Sequence, residues 1–382
     1  MDGLFEYIES NEKPYKDFWV DICSSEGISS DKDGVNETVD KIEKFCNSRG
    51  FSSKRIRFEN AGDYFICDLN EESEKGIVFL AHTDTVHEKG KFGYPAVTEK
   101  DGILTGPGVV DCKGGIAVSL LVMEALYHCG YRKHLRLLLS SDEEVSERLS
   151  GDAGKQLIMD SCRGFNACFC AETSKKGMIS VGRKGIYRLR VEVSGKAAHS
   201  GIAYFEGASA IKEAAYKIIE IEKLSSHGSS TFNCGVISGG SAENIVPDKC
   251  TFSVDIRAGS MSDLDSAYEK VKEIVDSSHV EGTSAAAFIR SKRLPMEQTE
   301  GNMRLFEKLE NVCKKYGFED IYPDFNGGGS DAAYAVAVGV PTVCSAGVTG
   351  DGNHTSWEYA ETDSLLRRSK MIAATVAEYF WA

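Results

Sequence analysis

Residues 76–81 read GIVFLA, an unbroken apolar run, and the chain then turns abruptly polar with HTDTV. Such a run reads as a strand buried in a sheet, so its end places His82 and Asp84 where the strand leaves the core. Side chains two apart on an extended chain face the same way. A carboxylate beside an imidazole holds the ring in one tautomer and raises its basicity, which is what a metal-bound histidine needs from its neighbour. A capped turn with a surface histidine is the plainer reading of the same residues.

Around this strand the chain alternates strand and helix signals. RIRFENAGDYFICDL, residues 55–69, reads as a hairpin. After GIVFLA come a helix at 114–129 and the strands HLRLLLSS and ACFCAE. That order points to an α/β layer with a mainly parallel sheet. Near residue 180 the pattern changes. YRLRVEVSGKA alternates cleanly, GASAIKEAAYKIIEIEKL has helical periodicity, and the strands FNCGVIS and CTFSVDIRAG follow. The helix SDLDSAYEKVKEIVDSS and the strand SAAAFIRSK complete a β-α-β-β-α-β series, a split, ferredoxin-like module. From about residue 301 the α/β style returns. A chain of 382 residues is long for one core. The expected architecture is therefore an α/β domain formed by 1–179 and 293–382, interrupted by an α+β domain at 180–292.

A formal net charge of −14 argues against nucleic acid or an acidic membrane as partner. No apolar run reaches a membrane span, because GGIAVSLLVMEALYHCGY is interrupted by Glu124. The N-terminus is acidic and amphipathic, without the basic start and apolar core of an export signal, so a cytoplasmic protein is expected. The twelve cysteines are scattered through apolar stretches without a C-x-x-C pair, which predicts free thiols and no thiolate zinc site.

Ligands gather at the strand ends of open α/β sheets. Here those ends carry His82 and Asp84, then Glu143 and Glu144 in LLLSSDEEV, then Glu172 in CFCAET. Asp111 lies in the glycine-rich GPGVVDCKGG, and His354 far downstream in GDGNHTSWEY. Each alone reads equally as a solvated turn, a helix-terminal acid or a loop histidine. Gathered in one pocket they would put five carboxylates beside two imidazoles, and the repulsion would raise carboxylate pKa values and destabilise the fold. Two divalent cations would cancel four of those five charges. Imidazole and carboxylate donors without thiolate suit Zn²⁺, with Co²⁺ or Mn²⁺ as substitutes.

The ordered set AHTDTV, GPGVVDCKGG, SSDEE, CAET, GRKG, GKAAHSG, ENIVPD, DIR, GGGSDAAYA and NHTSWEYA resembles the dizinc metallopeptidase family M20. That family includes aminoacylase, acetylornithine deacetylase, succinyl-diaminopimelate desuccinylase, tripeptidase and carboxypeptidase G. Within it the motifs are nearest to glutamate carboxypeptidases of the carboxypeptidase G type, through GPG and GGGSDAAYA. The resemblance implies a zinc-peptidase-like α/β catalytic domain with an inserted lid and dimerisation domain, two zinc ions per subunit and a homodimer formed through the insert. It implies that His82, Asp111 and Glu172 bind one zinc, and Asp111, Glu144 and His354 the other. Asp84 would orient His82, and Glu143 would be the base that deprotonates the metal-bridging water. His199 would stabilise the oxyanion from the partner subunit. Arg257 and Asn244 would hold the substrate carboxylate, with backbone donors around Gly328, Gly329 and Ser330, while Arg183 is either a substrate contact or part of a tight basic turn. The peptide bond after Asp111 would be cis.

Two departures stand out. VSERLSGDAGKQL, after the paired glutamates, lacks the family's Gly-Ser start, and Met178 stands about where a glutamate-selective member would carry a cation, with Lys175 and Lys176 nearby. The expected activity is cleavage of an amide next to a free carboxylate, as a carboxypeptidase or N-acyl-amino-acid deacylase. A di- or tripeptidase is the nearest rival, and a non-catalytic zinc or amino-acid-derivative binder is the more distant one.

Overall fold

A computed structural model describes residues 1–381 of the chain. They divide into two compact units, one of 1–182, 298–325 and 330 onward, the other of 183–297 with 326–329.

The first unit is built on a six-stranded sheet in the order 52–56, 64–69, 134–140, 75–82, 167–170, 342–343. Its last four strands are parallel neighbours. The hairpin at the other edge runs antiparallel, because a short turn between adjacent strands reverses the chain. Lys75–His82 lies inside the sheet, and every residue from Gly76 to His82 is buried, as its apolar run requires.

The helix Lys113–His128 is buried from Lys113 to Leu126. Its KGG start is a matter of close approach. A Cβ on Gly115 would stand 1.9 Å from the carbonyl oxygen of Ala171, the residue before Glu172. Gly115→Ala is accordingly expected to destabilise the protein by about 1–3 kcal/mol, the range for overpacking a filled core. Urea denaturation checks it, and an unchanged midpoint would show that the helix can move aside. Lys113, fully buried, donates from Nζ to the carbonyls of Ile22 at 3.2 Å and Ser25 at 2.7 Å. It thereby satisfies the C-terminal end of the helix Glu12–Ser24, whose carbonyls have no partner within the helix.

The second unit is a four-stranded antiparallel sheet in the order 231–239, 249–258, 185–194, 284–293, with helices Ala210–Glu222 and Met261–Asp276 packed on one face. Numbered along the chain, the strands run 2-3-1-4, the order of a ferredoxin-like module. The strand Gly185–Ser194 alternates buried and exposed residues, with Leu189, Val191 and Val193 on the helix-covered face. Thr231–Gly239 is an edge strand that leaves Val236 and Ile237 more than half exposed.

All twelve cysteines are free thiols. No helix among the described residues is long and apolar enough to cross a membrane.

Candidate metal centre

His82 ends its strand fully enclosed, with Nδ1 3.0 Å from the Asp84 carbonyl oxygen and 3.3 Å from the Asp84 carboxylate. A proton on Nδ1 therefore faces Asp84, and Nε2 points at Asp111, 3.3 Å from Oδ1. Asp84 does more than orient the ring. Its carboxylate also accepts from Ser29 Oγ at 2.7 Å and from the backbone N–H groups of Glu143 at 3.3 Å and Glu144 at 3.2 Å. One buried carboxylate thus fixes both the imidazole and the turn carrying the paired glutamates.

That turn is a short 3₁₀ segment, Glu143–Val145, just beyond the strand His134–Ser140. It sends the two glutamates to different partners. A donor atom of Glu143 lies within 4.8 Å of donors on His82 and Glu172, whereas Glu144 forms such a group with His82 and Asp111. Glu172 accepts from Ser330 Oγ at 3.2 Å.

Asp111 follows the glycine-rich loop, and its peptide bond to Cys112 is cis. Its Oδ1 faces His82 Nε2, and its Oδ2 faces His354 Nε2 at 3.5 Å. One carboxylate thus stands between two imidazoles and offers one oxygen to each. His354 also lies 3.1 Å from Glu144. Its φ of 64° is in the left-handed region, an uncommon conformation for a non-glycine residue that collects at functional sites.

The carboxylates and imidazoles of this cluster shift one another's titration. Burial opposes protonation of His82, yet Cys112, Asp111 and Asp84 hold its pKa well above the usual value. Hydrogen bonds to Asp111 and Glu144 raise His354 to about 10. Burial, followed by the charge of Asp111, pushes Glu144 up to about 8. Burial would also raise Asp111, but His354 and His82 outweigh it and hold the carboxyl below its usual range. The donor set of imidazoles and carboxylates fits zinc, cobalt or manganese. Cys112 is not positioned as a thiolate ligand, because its Sγ accepts from the His82 backbone N–H at 3.1 Å and burial pushes the thiol up.

Several supporting residues escaped the sequence reading. Asn353 donates to Asp111 Oδ2 at 2.8 Å and to Thr173 Oγ1 at 2.7 Å. Asp142, within the SSDEE motif, accepts from the backbone N–H groups of Leu149 and Ser150 and from the hydroxyl of Tyr64. It ties down the loop that departs from the family pattern, in which Ser146 and Glu147 have φ of 61° and 51°. The hydroxyl of Tyr334 bonds Glu147. Membership of the motifs NHTSWEYA and SSDEE was the available signal for Asn353 and Asp142. Ser29 and Tyr64 had none.

In the second unit His199 and Asn244 are neighbours. His199 pairs with Ile245 across a short two-stranded ladder, and Ser200 N donates to the Asn244 carbonyl at 3.0 Å. His199 is exposed, and its Nδ1 accepts from Gly201 N at 3.1 Å. Arg257 donates through Nε to Asp255 at 2.9 Å and through Nη1 to the Gly327 carbonyl at 2.9 Å. Arg183 reaches the Gly329 carbonyl at 3.4 Å. A Cβ on Gly329 would stand 2.6 Å from Cδ of Arg293, a cation that the motifs did not single out. Three guanidinium groups therefore meet the glycine-rich 326–329 segment. The Gly328 N–H is turned inward, to Asn326 Oδ1 at 2.8 Å. In the first unit, Ser330 is buried against Glu172, Cys170 and Cys344. Met178 is also buried there, and Lys175 pairs with Asp351 at 3.0 Å.

Residues 181–283 match the peptidase dimerisation domain of the M20 peptidases. The chain is 26% identical over 358 residues to carboxypeptidase G2 of Pseudomonas sp. strain RS-16, covering 92% of this chain and 85% of that protein. It is 25% identical over 329 residues to succinyl-diaminopimelate desuccinylase of Magnetococcus marinus, covering 80% and 83% of the two chains. Its fold matches the crystal structure of aminopeptidase PepT from Bacillus cereus with a TM-score of 0.78 at 20% identity, over 96% of this chain and 98% of that one.

Proposed function

We propose that this chain, a member of the M20 peptidase family with similarity to the carboxypeptidase G type, is a dinuclear-metal hydrolase that cleaves an amide bond beside a free carboxylate. The observation that carries this reading is the Asp111 carboxylate, set between the two imidazole Nε2 atoms at 3.3 and 3.5 Å. His82, Asp111 and Glu172 would hold one metal ion, and Asp111, Glu144 and His354 the other. Two such ions, zinc first and cobalt or manganese as substitutes, would polarise the scissile carbonyl and acidify the attacking water.

The remaining steps belong to this chain's own groups. Glu143 takes the proton from the attacking water and passes it to the leaving amine, the work of a general base that then acts as an acid. Asp84 keeps His82 in the tautomer whose Nε2 faces the centre and holds the Glu143–Glu144 turn in place. His199 has its Nδ1 occupied by Gly201 N, so its Nε2 carries the proton that it would donate to the oxyanion. Arg257, aligned by Asp255, grips the substrate carboxylate together with Asn244, and Arg183 and Arg293 add positive charge on the same glycine-rich segment. A planar guanidinium holds a carboxylate through two parallel bonds, which a lysine cannot copy. The exposed edge strand Thr231–Gly239, within the matched dimerisation region, supports a homodimer formed by strand addition.

An amine-release screen of the zinc-loaded protein tests the reading, with N-acetyl, N-succinyl and folyl amino acids beside di- and tripeptides. Each hit is repeated as its C-terminal amide. Activity is expected on the free acids, and Arg257→Lys should raise KM for them by about tenfold or more, the loss of one good charge-assisted contact. Equal turnover of acid and amide by the wild type would remove the carboxylate clamp. Release from unblocked di- or tripeptides alone would shift the assignment to a peptidase of that kind.

A further inference from the structure

Outside the ligand set, one buried carboxylate has every oxygen engaged. Glu358 and His87 are each about 1% exposed, and His87 Nε2 donates to Glu358 Oε2 at 2.7 Å. The same oxygen accepts from Gly108 N at 3.2 Å, while Oε1 accepts from Val110 N and Asp111 N, both at 3.0 Å. The Glu358 carbonyl also accepts from Gly106 N at 3.4 Å. The Glu358 carboxylate therefore receives three backbone donors of the loop that ends in Asp111, including the N–H of Asp111 itself. It stands four residues after His354. A single side chain thus fastens the segment carrying one candidate ligand to the segment carrying another.

Resting on the metal-centre reading above, we infer that Glu358 is a positioning residue for both metal ions, and that His87 holds Glu358 in place. Asp111 is the only proposed ligand shared by the two ions, so a shift of its backbone would disturb both together. Four donors converge on the Glu358 carboxylate and fix it in place. A glutamine cannot take its place. Whichever way the amide is turned, at least one backbone N–H faces another donor. Partners of this kind behind the ligands typically change metal affinity by about 10–100-fold.

The test is competition between the protein and a chromophoric chelator for zinc, with the absorption spectrum of the cobalt-loaded protein as a second readout. Glu358→Gln should bind both ions about tenfold or more weakly and alter the cobalt bands while remaining folded by circular dichroism. Val376→Ala, a core substitution elsewhere, controls for lost stability and should keep wild-type affinity. His87→Phe removes the donor to Glu358 and should weaken both ions, and His87→Gln, which keeps a donor, should recover most of the affinity. Should Glu358→Gln fail to fold, the His87 pair decides. A folded Glu358→Gln with wild-type affinity overturns the inference, and so do His87→Phe and His87→Gln with equal, undiminished affinity. A wild type that takes up no metal overturns the metal centre itself.

Discussion

Glu143→Gln is expected to lower kcat by roughly 10²–10⁴, the contribution of a general base, while both metal ions stay bound. The reason is the separate placement of two adjacent side chains. Glu144 lies 3.1 Å from His354 and groups with His82 and Asp111, the set assigned to ligation. Glu143 instead groups with His82 and Glu172, in a set that does not include Asp111 or His354. Glutamine at 143 keeps the shape and the backbone N–H that Asp84 holds, and it removes only the proton acceptor. Glutamine at 144 removes a charge from the ligand set and should lose metal before it loses anything else. Metal analysis of the two purified variants beside their kinetics checks both statements. Metal loss from Glu143→Gln with retention in Glu144→Gln would exchange the two roles.

Exhaustive chelation is expected to abolish hydrolysis, and zinc or cobalt to restore it. Buried carboxylates of Asp111, Glu143 and Glu172 converge here with the partly buried Glu144, and the carboxylates beside His82 and His354 hold both imidazoles above their usual pKa. A cation at a hundred times its dissociation constant stabilises the folded chain by about 2.7 kcal/mol. For a chain of 382 residues that corresponds to a rise in Tm of roughly 3–4 °C. The same samples therefore give two readings, turnover and melting temperature. Full turnover in a sample shown to be metal-free would end the metal-dependent mechanism, and an unchanged Tm on adding zinc would place any bound metal outside this cluster.

The sequence by itself determined the layout. GIVFLA reads as a buried strand and the clean alternation of YRLRVEVS as a half-buried one, and both are strands in the fold. These are properties of local periodicity, and periodicity is written in the order of the residues. The motifs likewise named His82, Asp111, Glu144 and His354, which the fold brings within contact of one another.

Only the tertiary structure decided how these residues are held. From the sequence, Asp84 was a support for one histidine. In the fold it also receives Ser29, 55 positions earlier, and the N–H groups of Glu143 and Glu144, about 60 positions later. Glu358 meets the N–H of Asp111 across 247 positions, and Arg293 meets Gly329 although no motif joins them. The different neighbours of Glu143 and Glu144 are set at a 3₁₀ turn, whereas a strand would only have alternated them. Hydrogen bonds of this kind depend on distance and direction after the chain has packed. Spacing along the chain carries no record of them, because two residues far apart become partners only when the sheet and the helix Lys113–His128 have set the loops between them.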